Sequence, residues 1–219
     1  MARKHTTAAP PTQVTSYTPP SRSVFETFVA KIRTEMLVTY PFFGTLAMYL
    51  KPICVPPDQG LWLAGVDGVN LFINYHTVKA LPLPQQVFLF SHEVMHCALR
   101  HYARLNSRDI NDWQYAADVV TNNVLTENKM VMIPGGIYRP EFTGMSADEV
   151  YRAIQNERKD GADSKSEKFA EQMRKLRDLC PPNSDGCDNG DDEGEDDEYD
   201  NKPRTVPAVS ELDMQWKQR

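Results

Sequence analysis

The sequence predicts an α+β fold, mostly helical, with a small antiparallel β-hairpin packed beside one deeply buried helix. Three observations predict it. Apolar residues recur at helical spacing in Phe25, Phe28, Val29, Ile32, Met36 and Leu37, and again in the apolar segment Gln85 to Leu105. Two short, partly β-branched runs, Leu61 to Val66 and Val69 to Tyr75, are joined by Asp67-Gly68, a two-residue hairpin signal. The second helical segment carries His92-Glu93-Val94-Met95-His96, the pattern H-E-x-x-H.

Composition sets the frame. The chain has 219 residues, of which 41% are hydrophobic, enough for one core. No apolar run approaches the roughly 18 residues a membrane span needs. The start, Met1 to His5, lacks an apolar leader region, so no secretory signal is expected. The four cysteines (Cys54, Cys97, Cys180 and Cys187) are sparse and irregularly spaced, which favours reduced thiols and a cytoplasmic setting. Ten of the 30 acidic residues fall in Asp185 to Asp200, so the rest of the chain is mildly basic against its 24 Lys and Arg. It has no dense basic stripe, which argues against nucleic acid as a partner, and no membrane partner is expected.

The elements follow in order. Residues 1–22, rich in Thr, Pro and Ser, read as a disordered N-terminal arm. The main domain is expected over 23–157. Ser23-Val24-Phe25-Glu26 has the form of a capping box and opens a helix that Pro41 stops at Tyr40. A short apolar segment runs to about Leu50, and Pro52, Pro56 and Pro57 predict a loop after it. The hairpin comes next, then the H-E-x-x-H helix, expected to end near Asn106-Ser107. Asp112 is the expected N-cap of a helix from Trp113 to about Glu127. Ser146 to Glu149 forms a second capping box. Beyond it the sequence predicts a solvated helix over 158–180, an acidic disordered linker over 181–207 and the start of a C-terminal helix over 208–219.

The chemistry centres on the five-residue motif. Histidines four apart share one helix face, so His92 and His96 can reach one metal ion, and Glu93 can act as general base on a water there. A catalytic zinc site needs a third protein ligand. Asp118 is the preferred candidate, in Ala116-Ala117-Asp118, where the alanines allow close approach of two helices. Asn122, one turn later on the same face, is a candidate to hold a ligand in place. His101 is the weaker alternative ligand. On a continuous helix it lies about 140° from His96, and no glycine or proline breaks the helix between them. Its expected place is therefore the outer face. Tyr115, Tyr138, Arg139 and His101 are candidate donors to a developing oxyanion. Val69 to Tyr75 is the candidate edge strand for a peptide substrate.

These residues carry a resemblance. The chain resembles the metallopeptidase-type domain that precedes von Willebrand factor A-like domains in bacterial and phage proteins. The resemblance rests on Pro41-Phe42-Phe43-Gly44, Val66-Asp67-Gly68 with Phe72-Ile73-Asn74-Tyr75, Ser91 to His96 with Arg100-His101, Trp113 with Ala116-Ala117-Asp118 and Asn122, and Gly144 to Tyr151. It covers roughly residues 24–156. It implies a zincin-like fold, one Zn2+ held by His92, His96 and Asp118, Glu93 as base, and a peptide or protein substrate. It also implies the cytoplasm of a bacterium or of a phage-infected host. The competing reading is a non-catalytic zincin scaffold, an adaptor or assembly protein that keeps the metal for structure. The acidic tail offers a surface for a protein partner.

Overall fold

The computed structural model describes residues 19–56, 63–159, 202–205 and 209–218. Most of the expected N-terminal arm, solvated helix and acidic linker lies outside the described residues, as do Cys180 and Cys187. Among the described residues, no helix is long and apolar enough to cross a membrane.

Helix α1 (Arg22–Thr39) starts at Ser21, and the expected box at Ser23 and Glu26 is not its cap. Glu26 pairs instead with Arg22 across one turn, at 3.0 Å. Phe25, Val29, Ile32 and Met36 form its buried face. Tyr40 breaks the helix, and Pro41 opens α2 (Pro41–Ala47), where a missing N–H costs nothing. The two helices meet backbone to backbone at Gly44. A Cβ there would sit 2.6 Å from the Leu37 nitrogen, so no larger residue fits without moving a helix. Arg33 closes the end of α2 by donating to the carbonyls of Ala47 and Leu50 at 2.9 and 2.6 Å.

The sheet differs from the expected hairpin. It has three strands in the order β1 (Lys51–Cys54), β3 (Asn70–Ile73), β2 (Ala64–Val66). β2 runs antiparallel to β3, while β1 runs parallel to it, so the sheet is mixed. The prolines pointed to a loop where β1 lies. Pro52 is tolerated because β1 is an edge strand. The N–H groups of Lys51 and Val55 bond to Val69 and Ile73 at 2.8 Å, which turns the Pro52 nitrogen away from the ladder. The turn is wider than two residues. Asp67 builds it with its carboxylate, accepting the N–H groups of Val69 and Asn70 at 2.9 and 2.6 Å, while Gly68 takes a φ of 92°. β3 ends before Tyr75, because Asn74 accepts the Thr77 N–H and caps α3 (Tyr75–Lys79).

Helix α4 (Leu83–Ala98) is the hub of the fold. It packs on α1, α2, β2 and α5 (Ile110–Glu127), which is why its sequence is apolar on nearly all sides. Phe88, Phe90 and Val94 are fully buried within it. One core joins α1, α2, the sheet and α4. A second lies between α5 and α6 (Ala147–Lys159), around Trp113, Val119, Val150 and Ile154. The N-cap of α5 is Asp109, not Asp112. Asp109 accepts the N–H groups of Asn111 and Asp112, while Asp112 itself is buried and accepts from Gln155 on α6. The box at Ser146 and Glu149 does cap α6, with the Ser146 N–H donating to Glu149 at 2.8 Å and the Glu149 N–H to the Ser146 hydroxyl at 3.4 Å. The last helix, α7 (Val209–Lys217), returns to the first core. Its Trp216 is buried and donates to the Gly68 carbonyl at 2.8 Å. Ahead of it, the Arg204 backbone exchanges two bonds with the Asn70 amide, at 2.6 and 2.8 Å.

Candidate metal centre

The facing sides of α4 and α5 bring three donors to one point. His92 and His96 lie one turn apart on α4, and their Nε2 atoms are 2.9 Å from each other. Asp118 projects from α5, placing one carboxylate oxygen 3.4 Å from His92 Nε2 and 3.0 Å from His96 Nε2. Among the described residues, these three form a group whose ligand atoms all lie within 4.8 Å of one another. Zn–N and Zn–O bonds of about 2.0–2.1 Å in a tetrahedron space their donors at roughly 3.3 Å, so the triangle has the size of a zinc site. The helices can approach this closely because α5 presents Ala116 and Ala117 beside Asp118, both fully or nearly fully buried. The two imidazoles keep 15% and 20% of their surface exposed, so the cluster opens to solvent on one side.

Each imidazole is also held from behind. Asn122 sits one turn after Asp118, and its Oδ1 lies 2.9 Å from His92 Nδ1. Its Nδ2 donates to the Ile137 carbonyl at 2.9 Å, which settles the amide's orientation. Oδ1 therefore accepts, His92 carries a proton on Nδ1, and Nε2 is the nitrogen that faces Asp118.

His101 is where the structure corrects the sequence most. The helix does not run to Asn106. It ends at Ala98, and Arg100 adopts a left-handed conformation with φ 54° and ψ 42°. A non-glycine residue there costs about 1–2 kcal/mol. A short 3-10 turn, His101–Arg104, follows and folds back. His101 is thus not on the outer face but buried, with Nδ1 3.1 Å from His96 Nδ1. It is not one of the three grouped donors, since it approaches His96 on the ring nitrogen opposite Asp118. No glycine or asparagine marked the break. The indication lay in Trp113, whose indole N–H donates to the His101 carbonyl at 2.9 Å.

Electrostatics follow from this packing. Burial alone would lower the pKa of His92, but the hydrogen bond and charge of Asp118, with help from Glu93, lift it to about 9. Burial would raise Asp118, yet its bonds to His92 and His96 hold it well below the usual carboxylate range. Burial pushes His101 down, and the neighbouring His96 adds to that, to about 2. Glu93 is buried, feels the charges of His92, His96 and Asp118, and has its pKa raised, chiefly by burial. The cluster thus holds a proton where a metal cation would bring its charge. Arg139 is taken up by Glu157, Glu141 and the Tyr115 hydroxyl, while Tyr138 is exposed.

Residues 25–218 match the model of a family described as "Putative metallopeptidase domain". The chain belongs to this family. The match extends past residue 156 and takes in α7 with its buried Trp216. No curated protein and no solved structure matches the chain. For a member of a metallopeptidase family, the group of His92, His96 and Asp118 is the part of the described structure with a metal-ligand donor set.

Proposed function

We propose that this chain is a zinc-dependent metallopeptidase with His92, His96 and Asp118 as ligands of one Zn2+ and Glu93 as general base. The observation that carries the reading is the convergence of two Nε2 atoms and one carboxylate between α4 and α5, with a fourth ionisable group, Glu93, buried beside them. The donor chemistry fits. His92 Nε2 is aimed inward by Asn122, both imidazoles border solvent, and two histidines with one carboxylate are a familiar catalytic zinc set.

When bound, zinc supplies Lewis acidity, which lowers the pKa of water and polarises a carbonyl. The chain supplies the rest. Glu93, made more basic by burial, takes the proton of the attacking water and hands it to the leaving amine. No side-chain nucleophile is required. β3 does not serve as the substrate strand, since it is the middle of the sheet and is paired on both sides. Among the described residues the edges are β1 and β2, and β2 is the one that packs on α4. A peptide would therefore extend along Ala64–Val66.

The test is Glu93→Gln in the full chain, scored on a library of unstructured peptides with zinc content measured alongside. We expect zinc to stay at one per chain and turnover to fall about 10²–10⁴-fold. Unchanged turnover sinks the role of Glu93. A wild-type protein that binds zinc and cleaves nothing leaves the scaffold reading standing.

A further inference from the structure

The turn after α4 is built at a local cost. Arg100 is left-handed without being glycine, and His101 is buried at 3% exposure with Nε2 lacking a hydrogen-bond partner. Buried polar atoms are rarely left so, and each such case calls for an explanation. Both departures have one consequence in common. A continuous helix would carry His101 about 140° away from His96. The left-handed residue instead returns it behind the His96 ring, Nδ1 to Nδ1 at 3.1 Å. Trp113 fastens the arrangement, donating to the His101 carbonyl at 2.9 Å and standing edge-on to its ring, 6.1 Å between centroids.

Two imidazole nitrogens at this distance hold one proton between them. Two protons would collide, and none would set lone pair against lone pair. His96 presents its Nε2 to His92 and Asp118, at 2.9 and 3.0 Å. With a metal ion on that nitrogen, the single ring proton of His96 has to sit on Nδ1, and His101 Nδ1 has to accept it. We infer that His101 is a positioning residue that fixes His96 in its Nδ1–H form and aims Nε2 at the metal, keeping its own proton on the partnerless Nε2. This rests on the metal-site reading above. It is the counterpart of Asn122 behind His92, with one difference: the Asn122 amide spends its other half on Ile137, whereas the other half of His101 is bare.

The test uses the full chain and two substitutions. His101→Phe keeps the ring volume against Trp113 and removes the acceptor. His101→Asn returns an acceptor close to the position of Nδ1. Zn2+ affinity is measured by competition with a chromophoric chelator, and the imidazole tautomers of the zinc-loaded wild type by 15N–1H NMR. We expect His101→Phe to weaken Zn2+ binding about 10–100-fold and His101→Asn to recover most of the loss. The spectrum should show His96 protonated at Nδ1 and His101 at Nε2. Equal affinity in the Phe variant, no recovery in the Asn variant, or His101 protonated at Nδ1 overturns the inference while leaving the metal site intact. A wild type that takes up no Zn2+ overturns the metal site itself, and shows it before any substitution is made.

Discussion

Asp118 and Asp148 each lie between two nitrogen-bearing side chains, but the surroundings turn the two clusters to different ends. Asp118 faces His92 and His96 between α4 and α5, with 12% of its side chain exposed. Asp148, in the first turn of α6, bonds to Arg104 and Arg108, the latter at 2.5 Å, with 30% exposed. A guanidinium keeps its proton at any working pH, so the Asp148 cluster is complete as it stands. An imidazole can give its proton up, so the Asp118 cluster can exchange a proton for a metal ion. Two arginines make a clasp; two histidines around the same kind of carboxylate make a donor set of the kind that suits a metal cation. The following experiments break or sharpen that contrast.

The largest effect is expected from Asp118→Asn. It removes the anionic donor and leaves two imidazoles facing an amide. Zinc content, measured on protein dialysed against trace Zn2+, should drop by orders of magnitude, and peptidase activity should go with it. Retention of one zinc per chain would mean that Asp118 is not a ligand and that the two aspartates differ only in exposure.

Next comes pH. In the metal-free chain the pKa of His92 is raised from 6.5 to about 9. A raised folded-state value means the stabilisation is fully present below pH 6.5 and is lost as pH climbs through 9. Zinc binding runs the other way, because the ion displaces that proton and is favoured as pH rises. Thermal melts from pH 6 to 9 should therefore show the metal-free protein losing stability while the increment from added Zn2+ grows. Asp148 contributes nothing over this window. Its pKa, which burial would raise, is lowered by Arg104 and Arg108, so its stabilisation is present above 3.8 and fades only below. Parallel melting curves with and without zinc would break the comparison.

Asn122→Ala is expected to act less strongly. His92 would keep its place on α4 but lose the acceptor that fixes its tautomer, and the Ile137 carbonyl would lose a donor. Zinc affinity should fall about 10–100-fold with the fold retained. Chelator competition measures it, and an unchanged affinity would show that helix packing alone aims His92.

What could be read from the sequence follows the reach of each signal. Spacing within one helix is rigid, so four-residue steps place His92 with His96 and Asp118 with Asn122, and the grouping of these side chains was legible. The box at Ser146 and Glu149 is equally local. Signals that depend on the other side of the molecule were not legible. Lys51–Cys54 reads as a proline loop and becomes a strand because β3 offers an open parallel edge. That same pairing makes β3 central and unfit for the substrate role assigned to it. Asp112 reads as an N-cap, but Asp109 takes that position and Asp112 turns inward to Gln155. His101 was misplaced for the same reason. The turn that follows the left-handed Arg100 is tied down by Trp113, which donates to the His101 carbonyl from 12 residues away in sequence.

The smallest effect belongs to Asp148→Asn, and it bounds the contrast from the other side. The substitution leaves Arg104 and Arg108 without their shared carboxylate, but both remain stacked on Trp113, at 5.7 and 4.8 Å from its ring. The cap of α6 survives, since Ser146 and Glu149 do not involve Asp148. All three charged side chains are roughly a quarter to a third exposed, so solvent screens the lost attraction. The cost should be about 1 kcal/mol or less by denaturant titration, shrinking further in high salt. Zinc affinity should not change. A Zn2+ affinity that falls along with stability would show that the arginine clasp holds the 3-10 turn beneath His96, and that the two aspartate clusters form one unit.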